Sequence, residues 1–258
     1  MNNKFPIILI ILILLYIRKL TIKCTIESLE YFVNISRIDA CVYINLESRP
    51  DRKKHILNEI EKMGFFKRQT YKVSGVPLIK NGHKGCTQSH ILALQLAKLN
   101  NFEKTLILED DAKLNISPEW FQEKINKILN YLENKKWDII VLSQRHAKLE
   151  NLQDDPNSEI KHLKSSTTTA AYIINNHYLD TLISLLEEGN SKMDYSMWGI
   201  TENNEKHMIH QVNTIDQIWN RLQKKDNWYA FETELISQGS LYSSIMRSPE
   251  VRIKDEDN

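Results

Sequence analysis

The sequence lacks paired cysteines, long linkers and internal repeats. Its three cysteines, at positions 24, 41 and 86 of 258 residues, are odd in number and far apart. A disulfide scaffold or a structural zinc module needs paired, closely spaced ligands, so this spacing excludes both classes. No long stretch rich in proline, serine or glycine divides the chain. The sequence therefore predicts one main domain rather than a string of small modules.

An excess of charge of one sign is also lacking. The chain has 34 lysines and arginines against 33 aspartates and glutamates, for a net charge of +1. Such a chain produces no general field that attracts nucleic acid or another polyanion, so no nucleic-acid partner is expected. With 41% hydrophobic and 26% charged residues, the composition is that of a globular protein with a sizeable core.

An apolar run lies close to the N-terminus. Residues 5–17 are almost uninterrupted in apolar character, with Lys4 before the run and Arg18 after it. The run is shorter than the roughly 20 apolar residues that cross a bilayer, but flanking basic side chains can snorkel and relax that requirement. A cleaved signal peptide also fits this length, although no small-x-small cleavage site follows, and Pro6 disfavours a buried core helix. The run predicts a single-pass signal anchor over 1–23.

From residue 38 onward, β-type runs alternate with helical patterns. Such alternation predicts an α/β sandwich with a mainly parallel sheet, in which ligands bind at the carboxyl ends of the strands. The segment 145–164 is polar and is expected to be irregular. Strands are expected over 39–45, 69–73, 105–108, 137–142, 167–174 and 228–231, and helices over 50–63, 88–99, 117–132, 178–186 and 215–222.

Three acids follow the strand predicted over 105–108. Glu109, Asp110 and Asp111 would repel one another at the end of a buried strand and would resist desolvation. A hard divalent cation offsets both penalties, and Mg²⁺ or Mn²⁺ prefers such oxygen ligands. A solvated turn of acids and a phosphatase-type acidic pocket are alternatives at this point. The pattern indicates a metal site that a substrate diphosphate would complete.

Two further motifs precede these acids. Residues 45–52 (N-L-E-S-R-P-D-R) follow the first predicted strand, and the guanidinium groups of Arg49 and Arg52 suit a diphosphate. Residues 85–90 (G-C-T-Q-S-H) open a predicted helix. Simpler interpretations are a helix start whose arginines face water, an ordinary N-cap and a packed histidine.

Taken together and in this order, the three motifs resemble those of glycosyltransferase family 25. This family includes bacterial lipooligosaccharide galactosyltransferases and collagen hydroxylysine galactosyltransferases. Its patterns N-L-x-x-R-x-D-R, G-C-x-x-S-H and L-E-D-D are matched by residues 45–52, 85–90 and 108–111. Residues 169–174, 215–216 and 238–245 are similar to the family's G-x-x-A-Y strand, its Asp before a helix and its terminal Q…S-D-I element.

The resemblance covers most of the chain after the apolar run, with two departures. Ser244 stands where aspartate is common, and Thr169 or a neighbour replaces the glycine before the tyrosine strand. The resemblance implies a GT-A fold, which is a Rossmann-like sandwich that binds nucleotide sugars. It also implies a UDP-sugar donor (UDP-galactose or UDP-glucose first), Mn²⁺ or Mg²⁺, and a hydroxyl of a glycan or collagen-like glycoprotein as acceptor.

The resemblance further implies roles for individual residues. Glu109, Asp110 and Asp111 are expected to hold the metal, with Asp111 as the direct ligand. An inverting transfer needs a carboxylate that takes the acceptor proton, for which Asp216 is the first candidate and Asp194 the second. A metal-dependent phosphohydrolase and a non-catalytic sugar-nucleotide-binding protein are the competing functions. The residues expected to bind the donor are Asn45, Arg49, Arg52, Ser89, His90 and Tyr172.

The expected layout is an anchor at 1–23, a stem at 24–37, a catalytic domain at 38–247 and a charged tail at 248–258. More positive charge follows the apolar run than precedes it, which favours a cytoplasmic domain. Enzymes of the family that the motifs resemble usually face a lumen, where the sequon at residues 34–36 would accept a glycan. A luminal, membrane-attached domain is expected, and the conflict with the flanking charges stays open.

Overall fold

The computed structural model describes residues 37–196, 198–200, 206–208 and 212–239. The described residues from Ile38 onward belong to one compact unit. The predicted anchor, the sequon at 34–36 and Ser244 lie outside the described residues, so the expectations placed on them stay predictions. Within the described ranges, no helix is both long and apolar enough to cross a membrane.

Strands and helices alternate along the first half of the chain, as the sequence predicts. The strands are β1 (Ala40–Asn45), β2 (Thr70–Ser74), β3 (Lys104–Glu109), β4 (Ala112–Leu114), β5 (Ile139–Val141), β6 (Arg145–Asn151), β7 (Ile160–Thr167), β8 (Ala171–Asn175), β9 (Trp198–Ile200), β10 (Lys206–Met208), β11 (Trp228–Phe231) and β12 (Ile236–Gln238). The helices are α1 (Pro50–Lys62), α2 (Gly82–Leu99), α3 (Pro118–Tyr131), α4 (Leu179–Lys192), α5 (Ile215–Ile218) and α6 (Asn220–Gln223).

Eight strands form one large sheet in the order β2-β1-β3-β8-β5-β11-β7-β6. Strands β7 and β8 run opposite to the other six, which confirms the predicted mixed α/β class with a mostly parallel sheet. The carboxyl ends of β1, β2 and β3 lie at the same edge. Because β8 is antiparallel to β3 and pairs Ala171 with Leu108, the residues before β8 reach that edge too.

The hydrophobic core lies between the sheet and helices α2, α4 and α5. Every residue of β1 is buried, as expected for a strand covered on both faces. Val42 and Ile44 of this strand belong to the same core cluster as Leu94 of α2 and Leu182 of α4. Each such side chain contributes about 1.5–3 kcal/mol by leaving water. This burial fixes β1 and α2 relative to each other, and both contribute to the site described below.

Helix boundaries follow from local sequence signals in two cases. Pro50 occupies the first turn of α1, where a missing N–H costs nothing. At α3, the Ser117 side chain accepts a hydrogen bond from the Trp120 N–H, and Pro118 is the first helical residue. The prediction of a helix capped by Ser117 is confirmed.

Three predictions differ from the structure. The strand expected over 167–174 is interrupted, because β7 ends at Thr167 and β8 begins at Ala171. Helix α2 begins at Gly82 rather than at residue 88, because the Asn81 side chain accepts a hydrogen bond from the Lys84 N–H and caps the helix earlier. The segment predicted to be irregular forms the β6–β7 hairpin at the edge of the sheet. Only Ala147 and Leu149 of β6 are apolar and partly buried, so the apolar alternation of this strand is too short for sequence patterning to detect.

Candidate active site

A pocket of about 300 Å³ opens at the edge where β1, β2 and β3 end. Its walls are residues 44–46, Ser48, Arg52, the loop 75–79, the first turns of α2, the three acids 109–111 and Gln238. All three sequence motifs therefore meet at one place. The β sheet brings them together because parallel neighbours end at the same edge.

Asp110 and Asp111 lie against the motif that follows β1. The Arg52 guanidinium donates to Asp110 Oδ1 over 2.7 Å and lies 3.4 Å from Asp111 Oδ2. The Asn45 amide donates to the other Asp110 oxygen over 2.8 Å. Asn45 and Arg52 are buried, so these contacts hold Asp110 in a fixed orientation beside the pocket.

The carboxylate charge of Asp111 is balanced by fewer close contacts than that of Asp110. Only 4% of the residue is exposed, and its Oδ1 has no hydrogen-bond partner among the described residues. Gln238 Nε2 donates to Oδ2 over a long 3.4 Å. Burial raises the pKa of the Asp111 carboxyl to about 7, and repulsion from Glu109 and Asp110 adds to the rise, against the pull of Arg52. A buried carboxylate with an unused oxygen on a pocket wall is suited to a cation.

Glu109 belongs to a different group of side chains. Its Oε1 accepts a 2.6 Å hydrogen bond from the Thr169 hydroxyl and lies 3.3 Å from His90 Nε2. Burial raises the pKa of Glu109, but the contacts with His90 and Thr169 outweigh this effect and leave the pKa below its usual value. On the far side of the imidazole, His90 Nδ1 lies 3.1 Å from the Tyr172 hydroxyl. The predicted three-acid cluster is thus divided, with Glu109 facing α2 and the two aspartates facing Arg52.

The turn before β8 contains a conformation that favours glycine. Thr168 has a φ of 73°, in the left-handed region that β-branched residues rarely adopt. Thr168 is the residue at the glycine position of the G-x-x-A-Y pattern. The unusual backbone places Thr169 so that its hydroxyl reaches Glu109. The departure from the family pattern therefore falls on Thr168, directly beside the site.

Ser89 lines the pocket, and its hydroxyl also fixes the pocket wall. It donates to the Gly85 carbonyl over 2.7 Å and accepts from the Val76 N–H over 2.8 Å. Gly85 is needed at this approach, because a Cβ there would overlap the Val76 carbonyl oxygen. The motif 85–90 therefore fastens the loop 75–79 to α2 and presents His90 to Glu109.

Two residues predicted to bind the donor are not part of the pocket lining. Arg49 forms a paired contact with Asp51, with Nε to Oδ1 at 2.9 Å and the second nitrogen to Oδ2 at 2.7 Å. Tyr172 is fully buried behind His90. Asn45, Arg52, Ser89 and His90 do line the pocket, together with the three acids.

The two candidate bases are held by other parts of the chain. Asp216 lies in α5 and accepts a 2.6 Å hydrogen bond from the Thr214 hydroxyl. Its charge raises the pKa of the Cys86 thiol, after burial and Glu109, so it lies within electrostatic range of the pocket wall. Asp194 is exposed, and its carbonyl accepts from the Asn81 side chain over 2.6 Å. Neither is among the pocket-lining residues of the described chain.

Sequence reasoning missed several residues of the pocket. The loop 75–79 forms one wall, and Cys86, Thr169 and Gln238 contribute side chains near the acids. Gly85 lies three residues before the predicted start of the helix, so its close approach to the loop could not be recognised from the sequence. Cys86 belongs to the motif 85–90, but its closeness to Glu109 has no sequence signal, since the two residues are distant in the chain.

Comparisons with known proteins complement this geometry. No curated protein sequence matches the chain significantly. Three similar solved structures are a mannose-1-phosphate geranyltransferase from Thermus thermophilus, a glycosyltransferase involved in glycosylation of the major capsid of PBCV-1, and A197 from STIV. Their sequence identities are 10%, 13% and 8%, with TM-scores of 0.45, 0.37 and 0.36. The alignments cover 80%, 83% and 81% of this chain and 75%, 98% and 99% of the other chains.

The family comparison is more specific. The model of glycosyltransferase family 25 (LPS biosynthesis protein) matches residues 65–197, which is more than half of the chain. The matched region contains the motif 85–90, all three acids and the turn before β8. The chain belongs to glycosyltransferase family 25.

Proposed function

We propose that this chain transfers a hexose, galactose or glucose first, from a UDP-sugar to a hydroxyl of a glycan or a collagen-like glycoprotein. The proposal includes a GT-A type nucleotide-sugar-binding sandwich and dependence on Mn²⁺ or Mg²⁺. The observation that carries it is the buried Asp111, whose unpartnered oxygen lies beside Asp110 on the wall of a pocket at the sheet edge, within the part of the chain that the structure describes. Membership of family 25 supplies the reaction class.

A divalent cation fits this part of the pocket. Three carboxylates line it, and the charge of Arg52 offsets only part of theirs. Asp111 would hold the cation directly, with Asp110 and Glu109 contributing directly or through water. When bound, a cation of this kind neutralises the diphosphate of the leaving nucleotide.

The remaining pocket walls suit a nucleotide. Asn45 lies at the end of β1, where it contacts Asp110 and lines the pocket. A nucleoside bound against this wall would contact the Asn45 side chain. Pro77 and Leu78 offer apolar surface for a base. Arg49 assists on the phosphates once it exchanges its contact with Asp51 for the donor.

The acceptor hydroxyl requires a group that takes its proton as the sugar bond forms. Asp216 is the proposed base, because its charge acts on the pocket-lining Cys86 and its Thr214 contact orients the carboxylate. Asp194 remains the second candidate. Substitution of Asp216 by asparagine is expected to lower kcat by at least about 100-fold with little change in donor affinity.

Release of UDP tests the proposal. The purified full chain is assayed with a panel of UDP-sugars, with and without Mn²⁺, and slow hydrolysis of the donor suffices when the acceptor is absent. We expect metal-dependent release from one UDP-sugar and its loss in Asp111→Asn. The exposed Asp180, which pairs with Lys98, gives the control Asp180→Asn, which retains release. Binding of a UDP-sugar without turnover would support the non-catalytic alternative. No release and no calorimetric binding would reject the donor.

We also propose that residues 1–23 anchor the chain and that the catalytic domain faces a lumen. The apolar run with basic flanks supports the anchor. Protease treatment of sealed membrane vesicles distinguishes the two orientations. A luminal domain is protected and its Asn34 sequon is available for glycosylation, whereas a cytoplasmic domain is digested.

A further inference from the structure

Three potential metal ligands of different chemistry meet on one wall of the pocket. Cys86 and His90 lie one turn apart on α2, and Glu109 ends β3. One ligand atom from each lies within 4.8 Å of the other two. Cysteine and histidine ligands favour softer cations than the carboxylate oxygens of Asp110 and Asp111 do. This group is therefore chemically distinct from the pair of aspartates.

The spacing of the atoms agrees with tetrahedral coordination. His90 Nε2 and Glu109 Oε1 are 3.3 Å apart. Nitrogen and oxygen ligands at about 2.0–2.1 Å from a tetrahedral Zn²⁺ are separated by about 3.3 Å. A cation between them would replace their present contact without displacing either main chain. Cys86 lies on the same face of α2 as His90, and its Sγ is within 4.8 Å of the other two ligand atoms, so only a small movement would bring it into coordination distance.

Surrounding side chains already orient two of the three ligands. The Tyr172 hydroxyl contacts His90 Nδ1, so the opposite nitrogen of the ring is directed toward Glu109. The Thr169 hydroxyl donates to Glu109 Oε1 over 2.6 Å. In metal sites, hydrogen bonds of this kind hold the ligating imidazole ring and carboxylate in position and increase the affinity for the metal. His90 and Tyr172 are fully buried, which limits alternative orientations.

We propose that Cys86, His90 and Glu109 form a second metal site, which binds Zn²⁺ or a similar thiophilic cation. The Cys86 thiol releases its proton on binding. All three residues line the pocket, so the fourth coordination position faces the space proposed for the donor. Occupancy of the site therefore blocks that space and keeps Glu109 from contributing to a cation at the two aspartates. The inhibitory effect rests on the proposed transferase function, whereas the binding of the cation does not.

Cobalt(II) is the probe, because a thiolate ligand gives Co²⁺ a strong charge-transfer absorption in the near ultraviolet. The metal-stripped full chain is titrated with Co²⁺. We expect one Co²⁺ per chain with that absorption, and its loss on addition of Zn²⁺. Cys86→Ser abolishes the absorption and weakens Co²⁺ binding at least tenfold. Absence of the absorption from the wild-type chain, or its persistence in Cys86→Ser, would overturn the proposal.

Control variants separate Cys86 from the other thiols and from general loss of structure. Cys41 is buried in β1, away from the pocket lining, so Cys41→Ala retains the absorption, and Cys24→Ser does too. Tyr172→Phe keeps the core filled but removes the hydroxyl that orients His90. We expect it to weaken Co²⁺ binding by about tenfold while the absorption persists at saturation. Unchanged affinity in Tyr172→Phe would reject the orienting contact on which the site depends.

The experiment also separates this site from the proposed function. Cobalt absorption is measured without donor or acceptor, so it can appear in a chain that releases no UDP. That result would reject the transferase proposal and leave the second metal site standing. In a chain that does release UDP with Mn²⁺, Zn²⁺ is expected to inhibit this release. Cys86→Ser should raise the Zn²⁺ concentration that gives half-inhibition by at least tenfold. Inhibition unchanged by Cys86→Ser would overturn the proposed blocking of the pocket.

Discussion

Neighbouring acids at the end of β3 meet different surroundings. Glu109 is paired with His90 and Thr169, and Asp110 is paired with Arg52 and Asn45. Asp111 is almost completely buried and keeps an unpartnered oxygen within the described chain. Sequence alone places three acids in a row, whereas the surrounding strands and helices give each of them a different set of contacts.

Asp111 makes the metal-free protein sensitive to pH. Its folded pKa of about 7 exceeds its usual 3.8, so the folded chain binds a proton that the unfolded chain has already lost. Stability therefore falls as pH rises from about 4 to 7, by up to about 4 kcal/mol from this group. Asp111→Asn should remove this part of the decrease and raise the free energy of unfolding near pH 7.

Urea denaturation at pH 5 and pH 7 in the presence of EDTA measures this effect. The difference between wild type and Asp111→Asn isolates the contribution of this carboxyl from other titrating groups. Asp180→Asn serves as the control, since Asp180 is exposed in its pair with Lys98. Identical pH dependence in wild type and Asp111→Asn would contradict the raised pKa.

Thr168 is a second residue whose conformation matters near the site. Its φ of 73° is unfavourable for a β-branched side chain and natural for glycine. Thr168→Gly should relieve the strain and stabilise the fold by about 1 kcal/mol, after allowing for the greater freedom of glycine in the unfolded chain. Thermal unfolding of wild type and Thr168→Gly measures this gain in stability.

The adjacent Thr167 gives a matched control for Thr168→Gly. Thr167 ends β7 without a positive φ, and its hydroxyl donates to the Arg145 carbonyl. Thr167→Gly should therefore destabilise the protein. Equal losses of stability in the two variants would show that the backbone at Thr168 is not strained.

At the level of elements, α2 carries the contacts that shape the pocket. Gly85 lets the loop 75–79 approach the helix, and Ser89 links the two through the Val76 N–H. The sequence predicts a helix here but places its start six residues late. That boundary depends on the Asn81 cap, whose side chain is shared between the Lys84 N–H and the Asp194 carbonyl.

Gly85→Ala should move the loop 75–79 away from α2. The added Cβ overlaps the Val76 carbonyl oxygen, and neither backbone can yield without losing hydrogen bonds. We expect a loss of about 1–3 kcal/mol in stability and weaker binding of the proposed donor. Leu92→Ala, exposed on the same helix, controls for changes in helix content and should cost much less. Full stability in Gly85→Ala would contradict the close approach, as measured by urea denaturation and calorimetry.

Across the molecule, Lys84 joins the start of α2 to the end of α4. Its buried ammonium donates to the carbonyls of Asn190 and Met193 over 2.9 and 2.8 Å. The same ammonium lies 4.5 Å from the centre of the Tyr195 ring. A charged donor that satisfies helix-end carbonyls stabilises them by more than a neutral one does.

Lys84→Met should destabilise the fold by about 2 kcal/mol, because one buried and one partly buried carbonyl lose their donor while the packing volume is retained. Lys192 is a matched control on α4. Its exposed ammonium pairs with Glu188, so Lys192→Met should cost less than about 0.5 kcal/mol. Equal midpoints for the two variants in thermal unfolding would show that Lys84 does not tie the helices together.

The sequence by itself determined the class of the fold, the positions of β1 and β3, the cap of α3 and the three motifs. These depend on local signals, namely continuous apolar runs, a serine before a proline and acids directly after a strand. The β6–β7 hairpin escaped prediction because only Ala147 and Leu149 of its edge strand are apolar and partly buried.

Only the tertiary structure decided which of these residues meet. It divided the acids between Arg52 and His90, placed the loop 75–79 against Gly85, and brought Cys86 close to Glu109. Contacts of this kind join residues far apart in the chain, and their geometry depends on strand order and helix packing rather than on sequence spacing. The residues of the site can therefore be recognised from local sequence motifs. Their division into two chemically distinct groups follows only from the tertiary structure.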